Sequence, residues 1–469
     1  AVGSSWLGHR RLAIVDLEGG DQPLRTHDGE LWLVGNGEIY NHADVRRSIG
    51  SSEFETRSDN EAALRLIQDR GPSALGALSG MFAFVAAGAD GRFVAARDPV
   101  GIKPLYWARR NGSVRFASEM QAFDPEWLPS VAAFPPGHYW SPDAGLVRFA
   151  QAVPGGTAPI VPNGGAYPAS VLAETRDVLI DAVESQMMGD VPVGVFLSGG
   201  LDSSLVAAIA ARWLRARGQR LQTFAVGTPG SPDLVAARRA ARYLDTDHHE
   251  WVYTAADALT SVAEVVRVIE HFDASLVRSA VPNHMLARLA SRHVKVVLTG
   301  EGADEIFAGY EYQREIADPD ELHAEVVRTI EGLHNLNLQR CDRVTMAHGL
   351  EARVPFLDRE VIGFGVSLPA EWKVAAPGEM EKRLLREAFA GWLPEDLLWR
   401  QKSQFGDGSG AADVLTDSLA SEITDAELGA ELGGALGIRT KEELAYYRMW
   451  RDNLEGVDVS ATLGRFATA

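Results

Sequence analysis

Val193-Gly194-Val195-Phe196-Leu197-Ser198-Gly199-Gly200-Leu201-Asp202-Ser203-Ser204 is the stretch that decides how this chain is read. It begins as a short apolar run, turns through Ser-Gly-Gly, and enters a helix whose apolar positions Leu205, Val206, Ile209, Trp213 and Leu214 recur at helical spacing. A strand, a small-residue loop and a helix N-terminus together make an anion site, because the unpaired N–H groups of the first turn and the positive end of the helix dipole point at one spot. Gly199 and Gly200 are read as places where backbone approaches a ligand that a Cβ would strike. Ser198, Ser203 and Ser204 add hydroxyl donors. Asp202 makes sense beside phosphates if a divalent cation lies between them. The Walker pattern is absent, and an ordinary glycine turn is the bland alternative.

A second apolar run, Val294-Lys295-Val296-Val297-Leu298, ends in Thr299-Gly300-Glu301-Gly302-Ala303-Asp304-Glu305. Asp304 is placed to share a Mg²⁺ with Asp202, one acid from each of two loops, which leaves Glu301 to act on the nucleophile. Acids are common at helix starts for dipole reasons alone. That explains Asp304 and Glu305, but not why two strands both end in glycine-framed acids. Two lysines are candidates for the phosphates: Lys382, at the start of a helix with apolar Leu384, Leu385, Ala388 and Phe389, and Lys402. A lysine without further context is ordinarily a solvated surface residue.

A length of 469 residues implies roughly two to four domains. The net charge of −19 argues against nucleic acid as the main partner, so a phosphate site has to be a local positive pocket on an acidic body. The single cysteine, Cys341, excludes an internal disulfide framework and a cysteine-rich zinc site and suits a reducing compartment. No apolar run approaches membrane-spanning length and no signal peptide pattern is seen. The expectation is a cytoplasmic protein with no membrane and no nucleic-acid partner. A homodimer is compatible with the chain, although the sequence does not fix the oligomeric state.

Residues 6–148 are strand-rich, with apolar runs at 12–15, 31–34, 81–85, 93–96 and 104–107 and a helix at 60–69. Residues 151–170, with four prolines and four glycines, read as a linker. Beyond it strands at 193–196, 221–226, 250–253 and 294–298 alternate with helices at 171–188, from 203, at 233–244, at 256–269 and at 282–292. Such alternation predicts a doubly wound parallel sheet with ligands at the carboxyl ends of its strands. After residue 306 the chain turns mostly helical, and 427–437, rich in Gly, Ala, Leu and Glu, is expected to be a flexible surface segment.

At this point the motifs carry a family. The Ser198–Ser204 loop resembles the pyrophosphate loop of ATP pyrophosphatases. Together with residues 299–310, the run Gly349-Leu350-Glu351-Ala352-Arg353-Val354-Pro355-Phe356-Leu357-Asp358 and residues 399–408, it resembles glutamine-dependent asparagine synthetases of the bacterial type. So does the front half, in Gly8-His9-Arg10-Arg11-Leu12-Ala13-Ile14-Val15-Asp16, Gly35-Asn36-Gly37-Glu38-Ile39-Tyr40-Asn41, Arg57-Ser58-Asp59 and Ala96-Arg97-Asp98-Pro99-Val100-Gly101. The resemblance implies an α/β protein of two domains. Residues 1–150 would be a glutaminase, an α/β/β/α sandwich of the N-terminal-nucleophile hydrolase type without its first strand. Residues 171–469 would be an ATP pyrophosphatase synthetase domain, doubly wound with a helical C-terminal part.

The resemblance also implies roles. Arg11, Asn36, Gly37, Glu38 and Asp59 would line the glutamine pocket, with the Arg11 fork on the α-carboxylate, Asp59 on the α-ammonium, and Asn36 with Gly37 as oxyanion hole. In the other half aspartate and ATP would form β-aspartyl-AMP, which ammonia then converts to asparagine. Asp202 and Asp304 would hold Mg²⁺, Lys382 and Lys402 would meet the phosphates, and Glu301 would take the proton of ammonia. Leu197, Val226, Thr299 and Gly300 would border the nucleotide, and Arg278 would meet aspartate. Leu276 stands where one branch of the family has threonine, which keeps open an amidating enzyme of specialised metabolism acting on another acid. A β-lactam synthetase-like cyclase would carry tyrosine at the place of Glu301, and a non-catalytic ATP-binding regulator would be expected to have lost Asp202, Asp304 or Lys382. The family's glutaminase nucleophile is an N-terminal cysteine, whereas the sequence opens at Ala1. Because Arg11, Asn36, Glu38 and Asp59 are all kept, a few dozen further residues are expected ahead of Ala1. Cys341 is expected in the core.

Overall fold

The computed structural model describes residues 1–155, 160, 167–374, 379–401, 412–434 and 436–465. In the front half β1 (Leu24–Arg25) and β2 (Leu31–Ile39) lead into helices α1 (His42–Ile49) and α2 (Asn60–Arg70). Then follow β3 (Gly80–Gly88), β4 (Phe93–Arg97), β5 (Tyr106–Arg110), β6 (Ser113–Ala117), β7 (Val131–Ala133), β8 (His138–Ser141) and β9 (Gly145–Arg148). These strands form two antiparallel sheets, one in the order β1-β2-β3-β4-β8-β9 and one in the order β6-β5-β7. Ala62, Ala63, Leu64 and Leu66 of α2 pack with Leu33, Phe82 and Phe84 on the larger sheet. Between the sheets lie Ala83, Leu105 and Phe134 with Trp107, Phe116 and Trp140. The four rings meet at centroid distances of 5.4 to 6.2 Å, offset or edge-on as aromatic quadrupoles prefer.

The apolar run at 12–15 is not a strand. Its backbone turns to the other half of the molecule: Ile14 O accepts from Asp190 N at 2.9 Å, and Asp16 N donates to Asp190 Oδ2 at 2.8 Å. Half of the expected linker, residues 156–159 and 161–166, lies outside the described residues.

The second half alternates as its sequence predicts: α3 (Ala169–Ser185), β10 (Val193–Phe196), α4 (Leu201–Arg215), β11 (Gln222–Gly227), α5 (Pro232–Leu244), β12 (Asp247–Val252), α6 (Ala255–Ile269), α7 (Ala274–Ala290), β13 (Val296–Leu298), α8 (Ala303–Ile306), α9 (Pro319–Gly332), α10 (Asn337–Met346) and β14 (Glu351–Arg353). The five strands are all parallel, in the order β12-β11-β10-β13-β14. Side chains of β10, β13 and β14 are buried on both faces, as a helix-covered parallel sheet requires, while the edge strand β12 is only half-buried. Neighbouring helices α3, α4 and α5 form one layer and α6, α7 and α10 another. The order reverses at β10 and β13, so the loops that leave those strands part and open a crevice at the carboxyl edge.

Two elements differ from the sequence reading. Helix α7 starts eight residues before Pro282, which lies inside it. Proline is favoured in a first turn, and so Pro282 marks a false start; the true cap is Asp273, whose carboxylate accepts from Leu276 N at 3.2 Å. The segment expected to be flexible begins as a helix, Asp425–Glu431, closed by a reciprocal Thr424–Glu427 capping box. Another helix, Lys441–Leu454, follows. Among the described residues no helix is long and apolar enough to cross a membrane.

Candidate active site

A cavity of about 840 Å³ opens where the loops after β10 and β13 part, within the size range of small-molecule sites, about 300–1,000 Å³. From the first loop Leu197, Ser198, Gly200, Asp202 and Ser203 line it, and Val226 borders it from the end of β11. Thr299, Gly300, Glu301 and Asp304 line it from the second loop, with Arg278 and Lys382 from the helical region. Gly300 lets the two loops meet: a Cβ there would lie 2.9 Å from Asp202 Cβ and 3.0 Å from Ser203 N.

Gly199 and Ser204 also serve the frame of the loop. Gly199 has φ +73° and a Cβ on it would stand 2.5 Å from the Ala236 and Ala237 backbone of α5, so helix packing demands the glycine. Gly200 has ordinary φ, and its missing Cβ would meet only Ser198 Oγ, at 3.3 Å. Ser204 is buried, whereas Ser203 Oγ ties the loop, 3.0 Å from Ser198 Oγ and accepting from Ser198 N at 3.2 Å.

Lys382 Nζ stands 2.7 Å from Asp202 Oδ2 and 2.6 Å from Asp304 Oδ1. Its residue has φ +55°, a strained choice for a non-glycine, and is buried. Burial opposes its charge, but the two carboxylates outweigh burial and hold its pKa above the ordinary lysine value. Gly309 packs against both Asp304 and Lys382, where any Cβ would collide. The two carboxylates thus converge on one cation from two loops. Hard oxygen donors of this kind fit Mg²⁺, which commonly takes one or two carboxylates and completes its shell with phosphate oxygens and water. Among the described residues no group of three or more His, Cys, Asp or Glu is arranged to hold a metal unaided. Lys402 lies outside the described residues.

Deeper in the cavity Glu301 pairs closely with Arg340, whose Nη1 donates to Ser279 Oγ at 2.8 Å. Arg278 Nε lies 3.4 Å from Glu442 Oε1. Leu276 is fully buried and does not line the cavity. Cys341 is buried as expected, and burial pushes its thiol up to about 12. Sequence reasoning missed Arg340, Glu442 and Glu305. Glu305 is buried at the cavity wall, accepting from Tyr310 OH at 2.6 Å; burial first, then the Asp304 charge, pushes its pKa up to about 7. The acid beside Asp304 was visible in sequence, but not its burial.

The glutamine set is arranged differently. Asn36, Gly37 and Glu38 lie on β2 and Asp59 just ahead of α2, joined by Asn60 Nδ2 donating to Gly37 O at 2.9 Å. Gly37 has φ +124° and presses on the Met81 backbone, leaving no room for a Cβ. Asp59 is buried, its Oδ2 accepting from Ile39 N at 2.6 Å. Glu38 is buried 3.6 Å from Arg353 Nη2 in the other half; burial, helped by the Asp59 and Glu351 charges, pushes its pKa well up. Arg11 donates to Val15 O at 2.9 Å, Asp16 O at 2.6 Å and Asp21 Oδ1 at 3.0 Å, closing its own loop.

Family models bring both halves together with known proteins. The asparagine synthase model matches residues 174–318 and 313–432, and the glutamine amidotransferase domain model matches residues 2–138. The chain is 42% identical to glutamine-hydrolyzing asparagine synthetase 3 of Arabidopsis thaliana over 442 residues, covering 90% of this chain and 75% of that protein. It is 39% identical to the glutamine-hydrolyzing asparagine synthetase of Sandersonia aurantiaca, covering 95% of this chain and 87% of that protein. A probable glutamine-hydrolyzing asparagine synthetase of Schizosaccharomyces pombe is 39% identical, with 96% and 85% covered. With a family model over most of its second half, another over its front half, and relatives aligned along nearly its whole length, the chain belongs to the glutamine-hydrolyzing asparagine synthetase family.

Proposed function

We propose that the protein makes asparagine from aspartate and ATP, with nitrogen from glutamine or ammonia. The observation that carries this reading is the Lys382 ammonium held between Asp202 and Asp304 at the mouth of the two loops. An oxygen of the aspartate β-carboxylate attacks the α-phosphorus of ATP, and pyrophosphate leaves. Ammonia then attacks the acyl carbon of β-aspartyl-AMP, and AMP leaves. Asp202 and Asp304 would hold Mg²⁺, which when bound neutralises phosphate charge. The Ser198, Gly199, Gly200 and Ser203 loop and Lys382 stabilise the departing pyrophosphate; Lys402 is assigned to the same task. Leu197, Val226, Thr299 and Gly300 border adenine and ribose. Glu301, held by Arg340, takes the proton from the attacking nitrogen, and Arg278 meets a carboxylate of the acceptor acid.

The division of labour follows the family: residues 1–150 as glutaminase, 151–170 as linker and 171–469 as synthetase. In the first, Arg11, Asn36, Gly37, Glu38 and Asp59 are the proposed glutamine contacts. Purified protein given Mg·ATP, aspartate and an ammonium salt should release pyrophosphate and form asparagine in equal amounts. Pyrophosphate released only with another acid would change the substrate assignment, and none across a panel of carboxylic acids would overturn the reading.

A further inference from the structure

The asparagine synthase match ends at residue 432, yet the chain continues into a helix, Lys441–Leu454, that packs against α7. Its second residue, Glu442, is 2% exposed and faces Arg278 Nε at 3.4 Å. The carboxylate is fixed from two further sides: Tyr446 OH donates to Oε1 at 2.8 Å, and Thr416 Oγ1 to Oε2 at 3.2 Å. The same part of the chain grips the start of α7. Arg439 Nη2 lies 2.9 Å from Asp273 Oδ2, the cap of that helix, and Trp450 Nε1 donates to Glu270 O at 3.0 Å. The rings of Tyr447 and Trp450 each meet Phe272 edge-on at 5.3 Å.

These contacts converge on the first two turns of α7, which bring Ser275, Arg278 and Ser279 to the cavity. A guanidinium on a long side chain has many rotamers, and its planar fork recognises a carboxylate only when its plane is fixed. Glu442 stands against the Nε edge as a charge partner, not as a hydrogen-bond acceptor, and the two Nη groups are the donors with which Arg278 meets an acid. A buried carboxylate is costly unless paired and hydrogen-bonded. Here Arg278 is the ion-pair partner of Glu442, and the cavity is what lies in front of it.

We infer that Glu442 is a positioning residue for the acceptor acid: it fixes the Arg278 guanidinium, and the helix Lys441–Leu454 thereby helps set which acid the synthetase half accepts. This rests on the function proposed above. Kinetics of ammonia-supported pyrophosphate release test it, with aspartate and Mg·ATP varied separately. Glu442→Gln keeps the shape and an acceptor for Tyr446 but removes the charge. It should raise KM for aspartate about tenfold, the scale of one charge-assisted contact, while kcat and KM for ATP stay within about twofold. Glu442→Gln added to Arg278→Lys should cost less than it does alone, because the two act as a unit. Tyr446→Phe, a gentler change that keeps the protein measurable if Glu442→Gln fails to fold, should raise KM for aspartate in the same direction. Unchanged KM for aspartate in both variants, or KM for aspartate and ATP rising together, would overturn the inference and leave the proposed function standing. A wild-type protein that releases no pyrophosphate with any acid would overturn both.

Discussion

Lys382 and Arg11 are two cations that motif position assigns to a substrate anion, and the fold holds them in opposite ways. The Lys382 ammonium stands between two carboxylates at a cavity. The Arg11 guanidinium is spent on carbonyls and a carboxylate of its own loop. The carboxylates differ in the same sense, since Asp202 and Asp304 line open space while Glu38 and Asp59 are enclosed. The cause is topological. Where a parallel sheet reverses its order, two loops part and their side chains converge on the gap. In the front half the corresponding residues lie along a sheet strand and at a helix start, covered by α2 and by the other half of the chain. Charge in the first region lines a cavity; in the second, Glu38 reaches the other half of the chain through Arg353, while Arg11 and Asp59 are bonded to their own segments.

Removing a partner from the joining network should have the largest effect. Arg353 and Lys103, both fully buried, face Glu38, Glu351 and Asp342, and Arg353 also donates to Gln186 O at 2.6 Å and Met188 O at 2.5 Å. Arg353→Met takes from these buried carboxylates one of their two cations, leaving only Lys103, and should cost about 3–5 kcal/mol. Urea unfolding of the variant measures this. A loss under about 1 kcal/mol, the value of an exposed pair, would place the network in contact with water and erase the distinction between the regions.

Lys382→Ala probes the other side of the comparison. The ammonium is directed at the cavity, so its loss should slow the chemical step on the order of 10²–10³-fold, as for one stabilising donor. Rapid-quench measurement of pyrophosphate formation reads this directly. A near-normal rate would remove Lys382 from the site and make its position between Asp202 and Asp304 a matter of packing.

The sequence made the presented charges legible and hid the joining ones. Asp202, Glu301 and Asp304 each lie in a strand–glycine–acid run whose local chemistry is complete within a few residues. Lys382 was identified only through resemblance, because nothing around it announces a phosphate site. Arg340 meets Glu301 across 39 positions of chain, and Glu442 meets Arg278 from a helix that follows in sequence by a far longer path; such pairings exist only once the layers have packed. The beginning of α7, with Ser275, Arg278 and Ser279, was masked by Pro282, which reads as a helix start yet is interior. Glycine identity was visible at 199 and 200, but only the approach of α5 separates the glycine that admits a helix from the one that borders the cavity.

The smallest expected effect is also the finest test of enclosure. Burial, reinforced by the Glu351 charge and opposed by the bond from Ile39 N, pushes the Asp59 carboxyl from 3.8 up to about 6. The folded protein then binds this proton more tightly than the unfolded chain does. The corresponding stability is fully present below pH 3.8 and is lost as the pH rises toward about 6. Asp59→Asn removes the titration. Between about pH 4 and pH 6 the stability of the variant relative to wild type should therefore rise by on the order of 2–3 kcal/mol. Urea midpoints taken across that window supply the comparison. A difference that stays flat would mean that the Asp59 carboxylate titrates as it does in water, and that the front half presents its charges to solvent as the synthetase half does.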